Sequence, residues 1–274
     1  MKIVTFWGGL GNQIFEYAYY QWLKNRYPME NIYAYYPKAG LMAHNGLELF
    51  KCFDVIEPPC NKVITIIATI LFYLNKILNR LGLHLHCFTC TMQNKLYNSI
   101  FHCDWWQDKM YYAENYNLDF TNLKMNLKNQ QLLKIINDTN SVSIHIRRGD
   151  YIKSNIADIY GGICTEKYYD RALSIVDKSI SDNKQYIFFS DDPDYVREHY
   201  SIPNIIIVDW NNGEDSFMDM YLMSKCKYMI LANSTFSYWS AMFNKTKRMV
   251  ICPSKWNNLN FPDITQSEWI QIEM

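Results

Sequence analysis

Three short stretches of the chain hold residue types and spacings that do chemistry. His145-Ile-Arg147-Arg148-Gly-Asp150-Tyr sets two guanidinium groups beside an imidazole and a carboxylate, directly after the apolar run Val142 to Ile146. Side chains of a strand alternate, so His145 and Arg147 share one face while Arg148 takes the other. A guanidinium so placed can grip a diphosphate through two parallel charge-assisted bonds. The plainer use is ion pairing with Asp150 and Asp191. Asn233-Ser234-Thr235-Phe236 follows a second apolar run and opens a helical pattern. Unpaired N–H groups and the positive end of the helix dipole favour a phosphate there, although ordinary N-capping uses the same residues. Gly8-Gly9-Leu-Gly11-Asn12-Gln13 lies between the strand-like Lys2 to Trp7 and a helical pattern. Its glycines allow close approach to the backbone, and Asn12 and Gln13 offer amides to a phosphate or a sugar. A dinucleotide fingerprint fails here, because the third glycine position holds Ile14 and no Lys-Ser or Lys-Thr follows.

The elements that must position these residues are clearest in the second half. Compact apolar runs at Val142 to Ile146, Tyr186 to Phe189, Ile205 to Val208, Tyr228 to Leu231 and Met249 to Ile251 read as strands. Helical patterns separate them. Thr165 to Ile180 places Tyr168, Ala172, Leu173 and Val176 on one stripe; Asp215 to Lys225 places Phe217, Met220, Tyr221 and Met223 on another; Ser234 to Phe243 is apolar nearly all round. Such alternation predicts a parallel sheet with crossover helices, whose ligands sit beyond the carboxyl ends of the strands. The groups after four strands, around Arg147, Asp191, Asp209 and Ser234, are therefore expected to cluster.

The first half repeats the scheme with strand Lys2 to Trp7, a helix from Asn12 to Tyr27 closed by Pro28, and strand Ile32 to Tyr35. The apolar run from Val63 to Leu81 predicts a helix buried against a core, with contact to a membrane surface as its alternative. A boundary in polar Asn126-Leu-Lys-Asn-Gln-Gln gives two Rossmann-like halves facing a cleft, residues 1–135 and 136–274. The fold class is α/β.

Composition excludes several classes. In 274 residues, 27 basic and 27 acidic side chains cancel, so nothing marks a nucleic-acid binder. No apolar stretch reaches the roughly 20 residues that span a bilayer. The start shows no secretory signal, and eight irregularly spaced Cys read as reduced thiols, which predicts a cytoplasmic protein. His84, His86, Cys87 and Cys90, with His102 and Cys103, include one zinc-like spacing but no second pair at the required distance. Packing is the expected role of that cluster, and no metal site is expected.

Taken together, Gly8-Gly-Leu-Gly-Asn-Gln13, His145-Ile-Arg-Arg-Gly-Asp-Tyr151, and Asp219-Met-Tyr-Leu-Met-Ser224 running into Ala232-Asn-Ser-Thr-Phe-Ser-Tyr-Trp239 resemble the bacterial α-1,2-fucosyltransferases, glycosyltransferase family 11. The match spreads over nearly the whole chain in the family's order. It departs at Glu16, where Gln is usual, at Lys227-Tyr228, and at Tyr238. The resemblance implies a GT-B-like architecture and an inverting, metal-independent transfer of L-fucose from GDP-β-L-fucose to the 2-hydroxyl of a galactoside, with no cofactor. The N-terminal domain would serve the acceptor and the C-terminal domain GDP-fucose. It implies donor contacts by Gly9, Gly11, Asn12 and Arg148, a β-phosphate contact by Arg147, and ribose or guanine contacts by His145 and Asp219. Asn233, Ser234, Thr235 and Phe236 would complete the phosphate cradle. Asp150 is the candidate general base, with Asp191, Asp192 and Glu166 as rivals. The Trp105-Trp106 and Tyr111-Tyr112 pairs offer stacking faces for an acceptor, either an oligosaccharide or a lipid-linked glycan, the latter entailing peripheral contact with the inner face of the cytoplasmic membrane. A transferase with another nucleotide-sugar or linkage, an NAD-linked oxidoreductase and a non-catalytic glycan-binding module are the competing readings.

Overall fold

The computed structural model describes residues 1–82, 88–112, 116, 118–121, 123–259 and 264–273. The chain divides into two compact units, Met1–Thr121 and Asn122–Met274. The division falls ahead of the 135/136 boundary read from the sequence, because the polar stretch that holds that boundary forms a helix of the second unit. Asn126 caps it by accepting the N–H of Asn129 at 2.9 Å.

In the first unit, β1 (Lys2–Thr5), β2 (Ile32–Tyr35), β3 (Thr89–Cys90) and β4 (Phe101–His102) form a parallel sheet in the order β2-β1-β4-β3. Helix α1 (Leu10–Arg26) follows β1, with Lys24 and Arg26 in its last turn, where the dipole favours cations. Two short helices, α2 (Lys38–Met42) and α3 (Leu49–Cys52), precede the long α4 (Lys62–Arg80). Ile64 and Ala68 of α4 are buried against Ile3, Tyr35 and Phe101 of the sheet, with Ile67, Leu71 and Phe72 beside them. The expectation that this helix is buried holds for that face alone, since Ile66, Ile70 and Ile77 on the opposite side are exposed.

The second unit opens with α5 (Leu127–Asp138), which turns Leu132 and Ile136 inward. Its sheet contains β5 (Asn140–Ile146), β6 (Lys184–Ser190), β7 (Ile205–Val208), β8 (Tyr228–Ile230), β9 (Met249–Pro253) and β10 (Ile270–Ile272), all parallel, in the order β10-β9-β8-β5-β6-β7. Read from β7, that is the 3-2-1-4-5-6 order of the dinucleotide-binding fold, in which the connection reverses direction between β5 and β8. The intervening helices are α6 (Ser154–Tyr160), α7 (Glu166–Ser179), α8 (Pro193–His199), α9 (Phe217–Met223) and α10 (Thr235–Phe243).

Packing follows the period of each element. Val142, Ile144 and Ile146 of β5 point into one core with Tyr168, Tyr169, Ala172 and Val176 of α7, which leaves Ser143 and His145 on the other face. Buried phenols tie α7 to the strand ends. Tyr168 donates to the carbonyl of Leu231 at 2.6 Å, and Tyr169 to that of His145 at 2.9 Å. On α9 the expected stripe is displaced: Met218, Met220, Leu222 and Met223 are buried, whereas Phe217 and Tyr221 are half-buried. The helix begins two residues later than its pattern suggested and packs against both α10 and α5.

Candidate functional site

The parallel order puts the carboxyl ends of β5 and β8 at the point where the second unit's connections reverse, where α/β folds bind ligands. The chain leaves β5 as Arg147-Arg148-Gly149-Asp150-Tyr151 and leaves β8 as Leu231-Ala232-Asn233-Ser234. Contacts join these two exits. The Tyr151 hydroxyl donates to the Asn233 carbonyl at 3.0 Å, and the His145 and Phe236 rings lie 5.8 Å apart.

Arg147 is held from two sides: Nη2 lies 2.8 Å from Asp150 Oδ1, and Nη1 lies 3.0 Å from Asp191 Oδ2. Burial opposes its charge, but Asp191 and Asp150 more than offset this, so its pKa is raised. Asp191 also accepts the Arg148 N–H through Oδ1 at 2.9 Å. That approach requires Gly149, where an added Cβ would stand 2.5 Å from Asp191 Oδ2. The ion-pairing use of the arginines is thus present, and it fixes the Arg147 guanidinium at the strand end.

Arg148 takes the other face, as strand alternation requires. Its Nε meets Asp192 Oδ2 at 3.1 Å, and its guanidinium lies 3.6 Å from the centre of the Tyr195 ring. The structure therefore does not bring Arg148 alongside Arg147. Asp192 is occupied as the cap of α8, accepting the Tyr195 N–H at 3.2 Å, and Glu166 accepts the Tyr195 hydroxyl at 3.1 Å. Of the four candidate bases, Asp150 alone combines contact with Arg147 and an oxygen, Oδ2, that no hydrogen bond engages among the described residues.

His145 is buried, and burial followed by the charge of Arg147 lowers its pKa to about 3. It is neutral at pH 7, and its Nδ1 is buried without a partner among the described residues. At the β8 exit, Ser234 caps α10 by accepting the Phe236 N–H at 3.3 Å, and Thr235 begins the helix. Asn233 instead fastens the loop, with Nδ2 donating to the carbonyls of Tyr160 at 3.0 Å and Trp256 at 3.2 Å.

Two expected members stand apart. Asp209 pairs with Arg197 rather than with the Arg147 group. Asp219 accepts from Asn211 Nδ2 at 2.7 Å, within a buried network in which Asn129 bonds both Asn211 and Trp210. Burial raises the Asp219 pKa to about 7, with the Asn211 bond pulling it down.

The glycine turn lies at the corresponding reversal of the first sheet, between β1 and β4. Gly8 is the residue that needs to be glycine. Its φ is +72°, and a Cβ would stand 2.8 Å from Asn12 Nδ2 and 3.0 Å from the Trp105 ring. Gly9 is the helix cap in extended backbone, and Gly11 is buried within α1. Asn12 accepts from Gln107 at 3.2 Å, and no further side-chain bond engages it among the described residues. Gln13 is not a ligand amide. It is buried, donates to the carbonyls of Gly8 at 2.9 Å and Gly46 at 2.8 Å, and accepts the N–H groups of Glu48 at 3.0 Å and Leu49 at 3.1 Å. Glu16, also buried, accepts the Trp7 N–H at 3.0 Å, and burial raises its pKa well above the carboxylate range.

Of the aromatic pairs, Trp106, Tyr111 and Tyr112 are buried, with Trp106 stacked on Tyr19; Trp105 is half-buried and stacks on Trp7 at 4.7 Å. In the Cys and His cluster, Tyr19 bonds His102 Nδ1 at 2.7 Å, while His84, His86 and Cys87 lie outside the described residues. Among the described residues no group of three His, Cys, Asp or Glu is placed to hold a metal, and the cysteines are free thiols.

Two α/β units, each built on a parallel sheet, make the protein GT-B-like, and the second unit carries a fixed arginine and a helix start at its reversal point. The family model described as glycosyl transferase family 11 matches residues 3–273. The chain belongs to that family, and so is a glycosyltransferase. It is 31% identical over 283 residues to an Escherichia coli alpha-1,2-colitosyltransferase, covering 97% of each chain. It is 35% identical over 158 residues to the E. coli O-antigen biosynthesis glycosyltransferase WbnK, covering 53% of this chain and 52% of that one. Among solved structures, the Bradyrhizobium fucosyltransferase NodZ matches with a TM-score of 0.51 at 12% identity, over 90% of this chain and 92% of NodZ. NodZ alpha-1,6-fucosyltransferase co-crystallized with GDP matches with a TM-score of 0.50 at 11% identity, over 90% and 92% of the two chains.

Proposed function

We propose that the protein transfers L-fucose from GDP-β-L-fucose to the 2-hydroxyl of a galactoside, with inversion to an α-1,2 linkage. The observation that carries this reading is the Arg147 guanidinium, clamped by Asp150 and Asp191 next to the start of α10 at the reversal point of the second sheet. Breaking the sugar–phosphate bond leaves negative charge on GDP, and a donor already fixed where that charge grows lowers the barrier without reorganising. Ser234, Thr235 and the Phe236 N–H supply the rest of the cradle. Neutral His145 supplies an uncharged edge for the nucleoside, and Asp219 a carboxyl for the ribose or guanine. Asp150 takes the proton of the incoming hydroxyl through Oδ2. Gly9, Gly11 and Asn12 contact the donor, as the resemblance implies, and the first unit serves the acceptor.

The linkage named for the colitosyltransferase relative supports α-1,2 chemistry and supplies a second reading, a donor carrying colitose. Colitose lacks one hydroxyl of L-fucose, and a site that hydrogen-bonds that hydroxyl discriminates by about 10⁴-fold. Turnover of GDP-fucose and GDP-colitose with galactoside acceptors therefore separates the two.

The direct test is Arg147→Ala. Wild type gains melting temperature with GDP but not with UDP or NAD, and the variant loses that gain. Its turnover at saturating donor falls by about 10³-fold or more, by analogy with arginines that stabilise phosphoryl charge. Near-normal turnover would overturn the assignment.

A further inference from the structure

Helix α4 has two apolar faces, and only one has a partner. Val63, Ile66, Ile70, Tyr73, Ile77 and Leu81, at spacings of three and four, are each 55–66% exposed. Within the helix they form a continuous stripe of about 21 Å from Val63 to Ile77 at about 1.5 Å per residue, and Leu81 follows directly after the last helical residue, Arg80. A surface helix normally turns polar residues to water on that side. Lys62, Lys76 and Arg80 are exposed and fall along one border of the stripe, and none has an ion-pair partner among the described residues. The charged residues of α4 itself are all basic. In a chain with 27 acidic and 27 basic residues, no Asp or Glu occurs between Glu57 and Asp104.

We infer that α4 is an in-plane docking helix for an anionic lipid surface. An apolar stripe with a cationic border and no acid is the pattern of a helix lying in the headgroup region, its bases reaching lipid phosphates. No helix among the described residues is long and apolar enough to cross a membrane, so the contact is peripheral. The opposite face of α4 packs on the sheet of the first unit, so docking needs no rearrangement of the core. This holds whichever donor sugar the enzyme uses.

Flotation of the full chain with vesicles tests it. Wild type is expected to float with vesicles of phosphatidylglycerol and phosphatidylethanolamine and to stay behind with pure phosphatidylcholine. Ile66→Glu/Ile70→Glu/Ile77→Glu abolishes flotation. Lys62→Gln/Lys76→Gln/Arg80→Gln weakens partitioning by about a hundredfold for three lost bases near the surface. Because these residues are exposed, both variants should keep the wild-type circular dichroism and melting temperature. If an unfolded Glu variant denies that comparison, Ile70→Ser/Ile77→Ser serves in its place. No flotation of wild type, or equal flotation on neutral vesicles, would overturn the inference. So would concentration-dependent dimerisation of wild type without lipid that the Ile variants abolish, which would assign the face to a second copy of the chain.

Discussion

The two reversal points of the molecule use their polar residues in opposite ways. Between β1 and β4 the polar groups face inward. Gln13 bonds four backbone groups, Glu16 holds the Trp7 N–H with a carboxyl whose pKa burial raises, and Trp7 stacks on Trp105. Between β5 and β8 the polar groups are built around an ion-paired arginine. Arg147 sits between two carboxylates, and Ser234 opens α10. Equivalent positions in similar sheets thus serve shape in one unit and electrostatics in the other. The first should fail by unfolding when mutated, the second by losing turnover.

The largest effect that would break this contrast is on the first side. Gln13→Ala strands two buried carbonyls and two N–H groups, and is expected to destabilise the chain by about 3–5 kcal/mol, since each buried orphan costs about 1–3 kcal/mol and partial relaxation recovers some of it. Urea melts measure this, and an unchanged midpoint would mean that the amide is free for a ligand after all. On the second side, Asp191→Ala is expected to lower kcat by about 10²-fold through a misplaced Arg147, with less than about 1 kcal/mol of stability lost because the pair is partly exposed. Equal losses in kcat and stability would erase the contrast.

The smallest effect concerns Asp219, whose folded pKa of about 7 exceeds the roughly 4 of an unfolded Asp. The folded state holds that proton more tightly, so the associated stability is full below about pH 4 and is lost as pH rises through 7. Asp219→Asn stays neutral throughout and can still accept from Asn211. Its melting temperature should therefore rise relative to wild type by a few degrees between pH 5 and pH 8. A difference that does not change with pH would show that the carboxyl ionises freely.

Strands β5 to β9 were readable because each is a compact apolar run, although β7 at the sheet edge is mostly half-buried, and the meeting of the β5 and β8 exits was readable because parallel strands place their carboxyl ends on one side. β3, β4 and β10 span two or three residues each, too few to show a period. Helix α5 reads as a boundary in the sequence because its buried side is small, Leu132 and Ile136 with Asn129, among Asn, Gln and Lys. The roles of Gln13 and Asp191 depend on partners 33 to 44 residues away in sequence, which no local pattern records. The glycine turn was found, but which glycine mattered depended on the φ of Gly8 and the Trp105 ring. A periodic apolar helix is equally consistent with one covered face or two, so the exposed side of α4 is set by its packing on the sheet and not by its sequence pattern.

The strand order also sets a timetable for synthesis. β5 pairs with β6 and with β8, and β8 is completed only at Ile230. At about 5–20 residues per second, roughly 4–17 s pass between the emergence of Ile146 and that of β8. Throughout that interval one edge of β5 lacks its neighbour, and the loop bearing Arg147 lacks the carbonyl of Asn233 that Tyr151 will bond. The nascent chain therefore carries an open sheet edge until late in translation, and the corner that joins Arg147 to the start of α10 is among the last parts to take shape.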